Sequence, residues 1–333
     1  MGYLADIKIL MSLMGTGRFA FIDVAKSICI FLMVVGHYFP KNHLLLTYIY
    51  SFHMPALFII SGYLYRSHSW YKTIISFFVP VLFFSLVNLS VKIILGEIVI
   101  GTIQPTEIFF RIFHYRYGLG ETLFTGDWFL WALIGLRFLF GDIPCLHILK
   151  KYYIPIAIIC VVYMTFEKYL VNIDVIFRGY LIGRMIPSMV FFCFGLYLRE
   201  INWQPQVIQR KYMIVLVLLA FILPLQGECS IVANEYGLSY VVFSLNAILS
   251  SVLLLILSNK IPSSKFIETI SKGTLVVLGT HTPILHVLKC FLPNWCSITF
   301  PFITMVICYY IIILCERYCP ILMGKWKQPK NNI

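Results

Sequence analysis

Two adjacent apolar runs near the N-terminus carry ionisable side chains that hydrocarbon tolerates poorly. The first reads Phe21-Ile22-Asp23-Val24-Ala25-Lys26 and ends Val34-Val35-Gly36-His37. The second carries Phe52-His53-Met54-Pro55 and Ser61-Gly62-Tyr63. His37 is the first candidate for a general base. An imidazole titrates near neutrality, so it can take the proton of a hydroxyl and hand it on. A histidine that merely reaches lipid headgroups is the alternative reading. Lys26 precedes His37 by eleven positions, about 16 Å along one helix axis. It lies too deep to snorkel comfortably, and Asp23, one turn earlier, is its expected partner. Such a buried cation suits an anionic or carbonyl-bearing ligand that enters from inside; a helix-packing salt bridge is the alternative.

His53 stands before Met54-Pro55, where proline can break the helix and open a cavity. It reads as a catalytic partner of His37 or a substrate hydrogen bond. Ser61-Gly62 lets backbones approach closely and is a weaker ligand candidate. Arg184 can clamp a phosphate, a carboxylate or Asp127. His281, beside Pro283, sits near the middle of a late span, where facing the bundle interior is the favourable orientation. The residues alone leave open whether it touches ligand or only the core. By depth, His37, His53, Asp127 with Trp128, and Arg184 share an outer layer, but chain order does not show that they converge.

The elements that must hold these groups are membrane helices. Sixty per cent of the chain is hydrophobic and only 12% charged, against about a quarter charged in soluble proteins. The formal net charge of +12 does not mark a nucleic-acid partner, because the cations sit in short loops between apolar runs. A span needs roughly 20 apolar residues. That rule predicts an all-α, polytopic membrane helix bundle of about ten spans: 19–39, 48–65, 74–95, 122–140, 152–170, 180–198, 212–226, 239–258, 274–292 and 298–316. Sixteen Lys and Arg fall in the segments that are inner if the N-terminus is cytoplasmic, against six in the outer ones. The asymmetry predicts both termini inside. The expected organisation is an N-terminal interfacial segment 1–18, a transmembrane domain 19–316 and a cytoplasmic tail 317–333, with no secretory signal peptide.

The long outer segment from about Gly96 to Thr125 holds Glu107, Arg111, His114, Arg116 and Glu121 among aromatics. It could cover an acceptor site or simply lie at the interface. The ten cysteines show no metal spacing, and no metal is expected. Cys290 and Cys296 flank one tight outer loop, the only pair with a case for a disulfide. The sequence has no P-loop, Rossmann glycine fingerprint, HExxH helix or Gly-x-Ser-x-Gly elbow. ATP-driven transport by this chain alone is thereby disfavoured.

Taken together, these motifs resemble the acyltransferase 3 family of integral membrane acyltransferases, in the branch related to fucose 4-O-acetylases. The resemblance rests on Ile22-Asp23-Val24-Ala25-Lys26 through Gly36-His37, and on Tyr50-Ser51-Phe52-His53-Met54-Pro55 through Ser61-Gly62-Tyr63. Asp127-Trp128-Phe129-Leu130, the Arg184 to Gly195 span, and Ile270-Ser271-Lys272-Gly273-Thr274-Leu275 through His281 support it. It covers nearly the whole chain.

The resemblance implies a plasma- or inner-membrane enzyme. Its donor would be acetyl-CoA or another acyl-CoA, reaching in from the cytoplasm. Its acceptor would be a hydroxyl of a cell-surface or lipid-linked glycan. Many members carry an Arg-x10-His pattern; here Lys26 stands in the Arg place, with the charge but without the bidentate fork. Lys26, Arg66 and Lys72 are then expected to face the CoA phosphates or thioester arm, with Asp23, Ser61 and His281 as further donor-site candidates. His37, His53, Asp127 and Arg184 are the expected catalytic group. Direct transfer would need no acyl-enzyme; a covalent relay is the alternative, though no Ser or Cys is marked as its nucleophile. A glycan or lipid-linked sugar transporter without acyl transfer is the competing reading. A membrane sensor or assembly subunit with a degenerate site is a third.

Overall fold

The computed structural model describes residues 19–97, 127–167, 181–205 and 209–325. The segment 1–18, the end of the tail, and the outer stretch with Glu107, Arg111, His114, Arg116 and Glu121 lie outside the described residues. The side chain of Asp127 does too.

Twelve α-helices run through the described residues: α1 Ala20–Tyr38, α2 His43–Tyr50, α3 His53–Tyr63, α4 Trp70–Ile94, α5 Asp127–Arg137, α6 Tyr153–Phe166, α7 Leu181–Glu200, α8 Arg210–Ile222, α9 Tyr240–Ser258, α10 Lys265–Lys272, α11 Thr274–Phe291 and α12 Phe300–Tyr318. The only strands among them are the two-residue arms of a hairpin, β1 Cys229–Ser230 and β2 Glu235–Tyr236, paired antiparallel. Among the described residues seven segments are long and apolar enough to cross a membrane: Ala20–Tyr38, His43–Tyr63, Trp70–Ile94, Pro144–Phe166, Tyr240–Ser258, Thr274–Phe291 and Trp295–Tyr318. They coincide with seven of the ten expected spans. The other three fall on α5, α7 and α8. Of these α7 has 20 residues, while α5 and α8 have 11 and 13. The count of ten is therefore not established, while the membrane bundle is.

Helix α1 is the central post, in contact with α3, α9, α10, α11 and α12. Its apolar residues Ala25, Cys29, Ile30 and Val34 are fully buried. Near its N-terminal end the polar groups find partners on α10. The Lys26 Nζ donates to the Ser271 carbonyl at 2.7 Å, and the Ser271 hydroxyl donates to Asp23 Oδ1 at 2.6 Å. Ser27 donates to the Ile267 carbonyl at 2.9 Å. Asp23 and Lys26 thus share Ser271, which lowers the penalty of burying either charge.

Helices α3 and α7 cross at a point where only glycine fits. A Cβ on Gly62 would stand 2.1 Å from the Phe192 carbonyl oxygen, and one on Gly195 would stand 2.1 Å from the Ile59 carbonyl oxygen. The Ser61 hydroxyl turns back to the Leu57 carbonyl at 2.7 Å. The Ser-Gly pair is therefore seated at a helix crossing.

Prolines set two further features. Pro55 is in the first turn of α3, where a missing N–H costs nothing, so the chain breaks between α2 and α3 at Ser51–Phe52. Pro283 lies inside α11 and cannot donate to the Gly279 carbonyl. Asn88 of α4 supplies that bond instead, Nδ2 to O at 2.9 Å.

At the C-terminal end of α5 a π-helical turn, Phe138–Asp142, brings Asp142 back toward the helix end. Its carboxylate accepts from Tyr65 Oη at 3.0 Å, His68 N at 2.9 Å, Thr73 Oγ1 at 2.5 Å and Arg137 Nε at 3.0 Å. Arg137, which falls within the expected span 122–140, thereby finds a partner for its charge. All ten cysteines are free.

Candidate active site

The break between α2 and α3 builds the first wall of the site. Where a continuous helix would run on, the His53 imidazole Nδ1 donates to the Ile49 carbonyl at 2.6 Å. His53 is buried. With Nδ1 committed as donor, Nε2 of the neutral ring is an acceptor. The Tyr50 ring lies 5.3 Å from that of His53.

The second wall is α11. His281 is fully buried, and its Nδ1 faces the Val277 and Leu278 carbonyls at 2.9 and 3.0 Å. Its Nε2 lies 3.2 Å from Thr282 Oγ1. Between these walls stands His37 on α1, its ring centroid 5.1 Å from that of His281. Among the described residues no hydrogen bond engages either ring nitrogen of His37, in contrast to His53 and His281. One imidazole of three is left available for an incoming proton.

His37, Tyr50 and His53 face a cavity of about 210 Å³ lined also by Met33, Met54, Trp128, Ser230, Ile231, Val232 and Leu278, with His281 packed behind His37. The lining is largely apolar with a few convergent polar groups, as expected of a small-ligand site. The hairpin between α8 and α9 closes one side through Ser230, Ile231 and Val232. Buried Arg184, one turn into α7, reaches this hairpin, Nε to the Val232 carbonyl at 3.4 Å. Its fixed positive charge therefore sits behind the cavity wall.

The structure brings together His37, His53, His281 and Trp128, and puts Arg184 against the hairpin that lines the same cavity. Asp127 opens α5 next to Trp128. The remaining donor-site candidates lie elsewhere. Lys26 and Asp23 are about 16 Å or more down α1 from His37, engaged with Ser271. Ser61 is at the α3–α7 crossing. Arg66 and Lys72 are exposed beyond the C-terminal end of α3; the Arg66 carbonyl accepts from Arg137 at 3.1 Å, and the Lys72 ammonium lies 5.9 Å from the Tyr71 ring centroid.

Sequence reasoning missed Tyr50, the Ser230–Val232 lining and the Asp142 hub. For Asp142 there was a usable signal: a carboxylate five residues after an arginine within a span. For the hairpin there was none, since its residues are ordinary loop types.

A family model described as an acyltransferase domain matches residues 19–316, nearly the whole chain and all of the cavity's lining. The chain belongs to the acyltransferase 3 family. No curated protein and no solved structure matches it. This membrane acyltransferase therefore requires an acyl donor and an acceptor substrate, and its described residues hold no cluster of metal-ligating side chains.

Proposed function

We propose that this acyltransferase moves an acetyl or other short acyl group from acyl-CoA to a hydroxyl of a cell-surface or lipid-linked glycan in the plasma or inner membrane. His37 acts as general base. The observation that carries this reading is the His37 imidazole, unengaged among the described residues, at a largely apolar cavity of about 210 Å³. That volume is below the usual range of ligand pockets, which favours a short acyl group beside a single sugar hydroxyl.

The acceptor oxygen attacks the thioester carbonyl while its proton passes to His37. The C–O bond forms, the tetrahedral intermediate collapses, and the C–S bond breaks. The departing thiolate recovers the proton from the imidazolium. The buried charge of Arg184 behind the hairpin favours the developing oxyanion. His53, held with Nε2 as acceptor, receives a hydrogen bond from a neighbouring hydroxyl of the acceptor. A second assignment of the base follows from the same geometry: an imidazole oriented through its Nδ1, as His53 is, also suits proton abstraction.

The test uses sealed inside-out vesicles given radiolabelled acetyl-CoA at the exposed cytoplasmic face, with label counted in glycan and glycolipid. Label that requires His37 supports the reading. Label that survives His37→Ala and fails with His53→Ala transfers the role to His53. No label and no acetyl-CoA binding by the intact protein would sink the acyl-CoA assignment.

A further inference from the structure

A second cavity, of about 860 Å³, lies at the opposite end of the bundle from His37. It is lined by His147, Ile148, Lys150 and Lys151 from the 3-10 turn Pro144–Tyr152, by Tyr153 at the start of α6, and by Leu196, Arg199 and Glu200 at the end of α7. Three cations from two elements thus face one carboxylate. That carboxylate is already engaged, since the Tyr153 hydroxyl donates to Glu200. Lys150, Lys151 and Arg199 form no ion pair among the described residues. The Lys150 ammonium also lies 5.9 Å from the Tyr65 ring centroid; Arg137, 5.0 Å from the same ring, is neutralised by Asp142.

Like charges gathered around a concavity repel one another unless an anion enters. The cavity lies on the face that the Lys/Arg asymmetry assigns to the cytoplasm. It also opens at the rim of the bundle. Helix α6, which starts here, exposes Ile154, Ile158, Ile159, Val162 and Phe166 outward, as a lipid-facing helix does. A basic pocket at this depth beside acyl chains matches the chemistry of a phosphate group.

We propose that this cavity is a phosphate-binding site at the inner membrane surface. The phosphate has two chemical sources: the headgroup of an anionic phospholipid seated beside α6, or the nucleotide end of the acyl-CoA donor. The second source rests on the function proposed above; the first does not.

The test uses the full chain, delipidated in uncharged detergent. It is titrated separately with dioctanoyl phosphatidylglycerol and with coenzyme A, and binding is read by native mass spectrometry. Neutralising all three cations (K150Q/K151Q/R199Q) should weaken the phosphate ligand about 100-fold, near 5-fold per charge removed. The charge-conserving set (K150R/K151R/R199K) should retain binding within a few-fold. Weakening for the lipid alone identifies the headgroup; weakening for coenzyme A alone identifies the donor. The single exposed change Lys151→Gln, expected to cost about 5-fold, keeps the test valid if the triple variant misfolds. Unchanged binding of both ligands in the neutralised forms would overturn the site. Coenzyme A bound equally by intact and neutralised protein while the lipid is weakened removes the donor as the source and leaves the proposed donor itself standing.

Discussion

The imidazoles of His37 and His281 stand 5.1 Å apart between centroids, tilted by 40°. His281 is pinned through Nδ1 to the Val277 and Leu278 carbonyls, while no hydrogen bond engages His37 among the described residues. On the proposed mechanism, a fixed ring beside an unfixed one divides the labour: His281 shapes and positions, and His37 exchanges protons.

His37→Ala should therefore lower kcat by about 10²–10⁴-fold, the usual worth of a general base. The melting temperature should stay near that of the intact protein, because His37 holds no bond of the fold. A full-rate variant would remove His37 from the chemistry.

His281→Asn keeps an N–H that can reach the Val277 carbonyl and should cost about 10-fold in kcat. His281→Leu loses that donor and should cost more, with KM little changed. Equal, near-complete activity in both variants would show that the ring contact has no bearing on His37.

Asp142 gathers Tyr65, His68, Thr73 and Arg137 at the C-terminal end of α5. Burial, reinforced by this carboxylate, pushes the Tyr65 phenol well above its ordinary pKa, so it remains a donor throughout the neutral range. Asp142→Ala leaves the Arg137 charge without its partner and should destabilise the protein by about 3–5 kcal/mol. Thermal unfolding in detergent measures it, with Asp142→Asn expected to lose less because one acceptor oxygen survives.

Gly62→Ala should be damaging although it adds one methyl group. Its Cβ would meet the Phe192 carbonyl at 2.1 Å, so α3 and α7 must move apart, at about 1–3 kcal/mol. Ser61→Ala, one residue away, should be mild. Comparison of folded yield for the two variants checks the assignment of this pair to packing.

Cysteine labelling reads the topology. Cys290, near the outer end of α11, should react with an impermeant maleimide on intact cells, and Cys319, after α12, should react only when the inner face is open. Cys229 sits in the hairpin between α8 and α9, but burial and, secondarily, Glu235 push its thiol up to about 11. It should label slowly at neutral pH and faster as the pH approaches that value. The reverse sidedness of Cys290 and Cys319 would invert the orientation.

Transfer of apolar residues from water to lipid is a local free energy, summed along a stretch of chain. For that reason the sequence by itself determined the membrane bundle and seven of the ten expected spans, and marked Lys26, His37, His53 and His281 as ionisable groups within apolar runs. The local rule for proline likewise announced the break before His53. Convergence is a different kind of quantity. His281 meets His37 because α11 packs on α1, and the hairpin Ser230–Val232 reaches the cavity because α8 and α9 frame it; no periodicity encodes either. The same holds for Ser271 between Asp23 and Lys26, and for the four donors around Asp142. Such pairings are decided by packing and by the need to satisfy buried polar groups, and only the tertiary structure settles which groups those are.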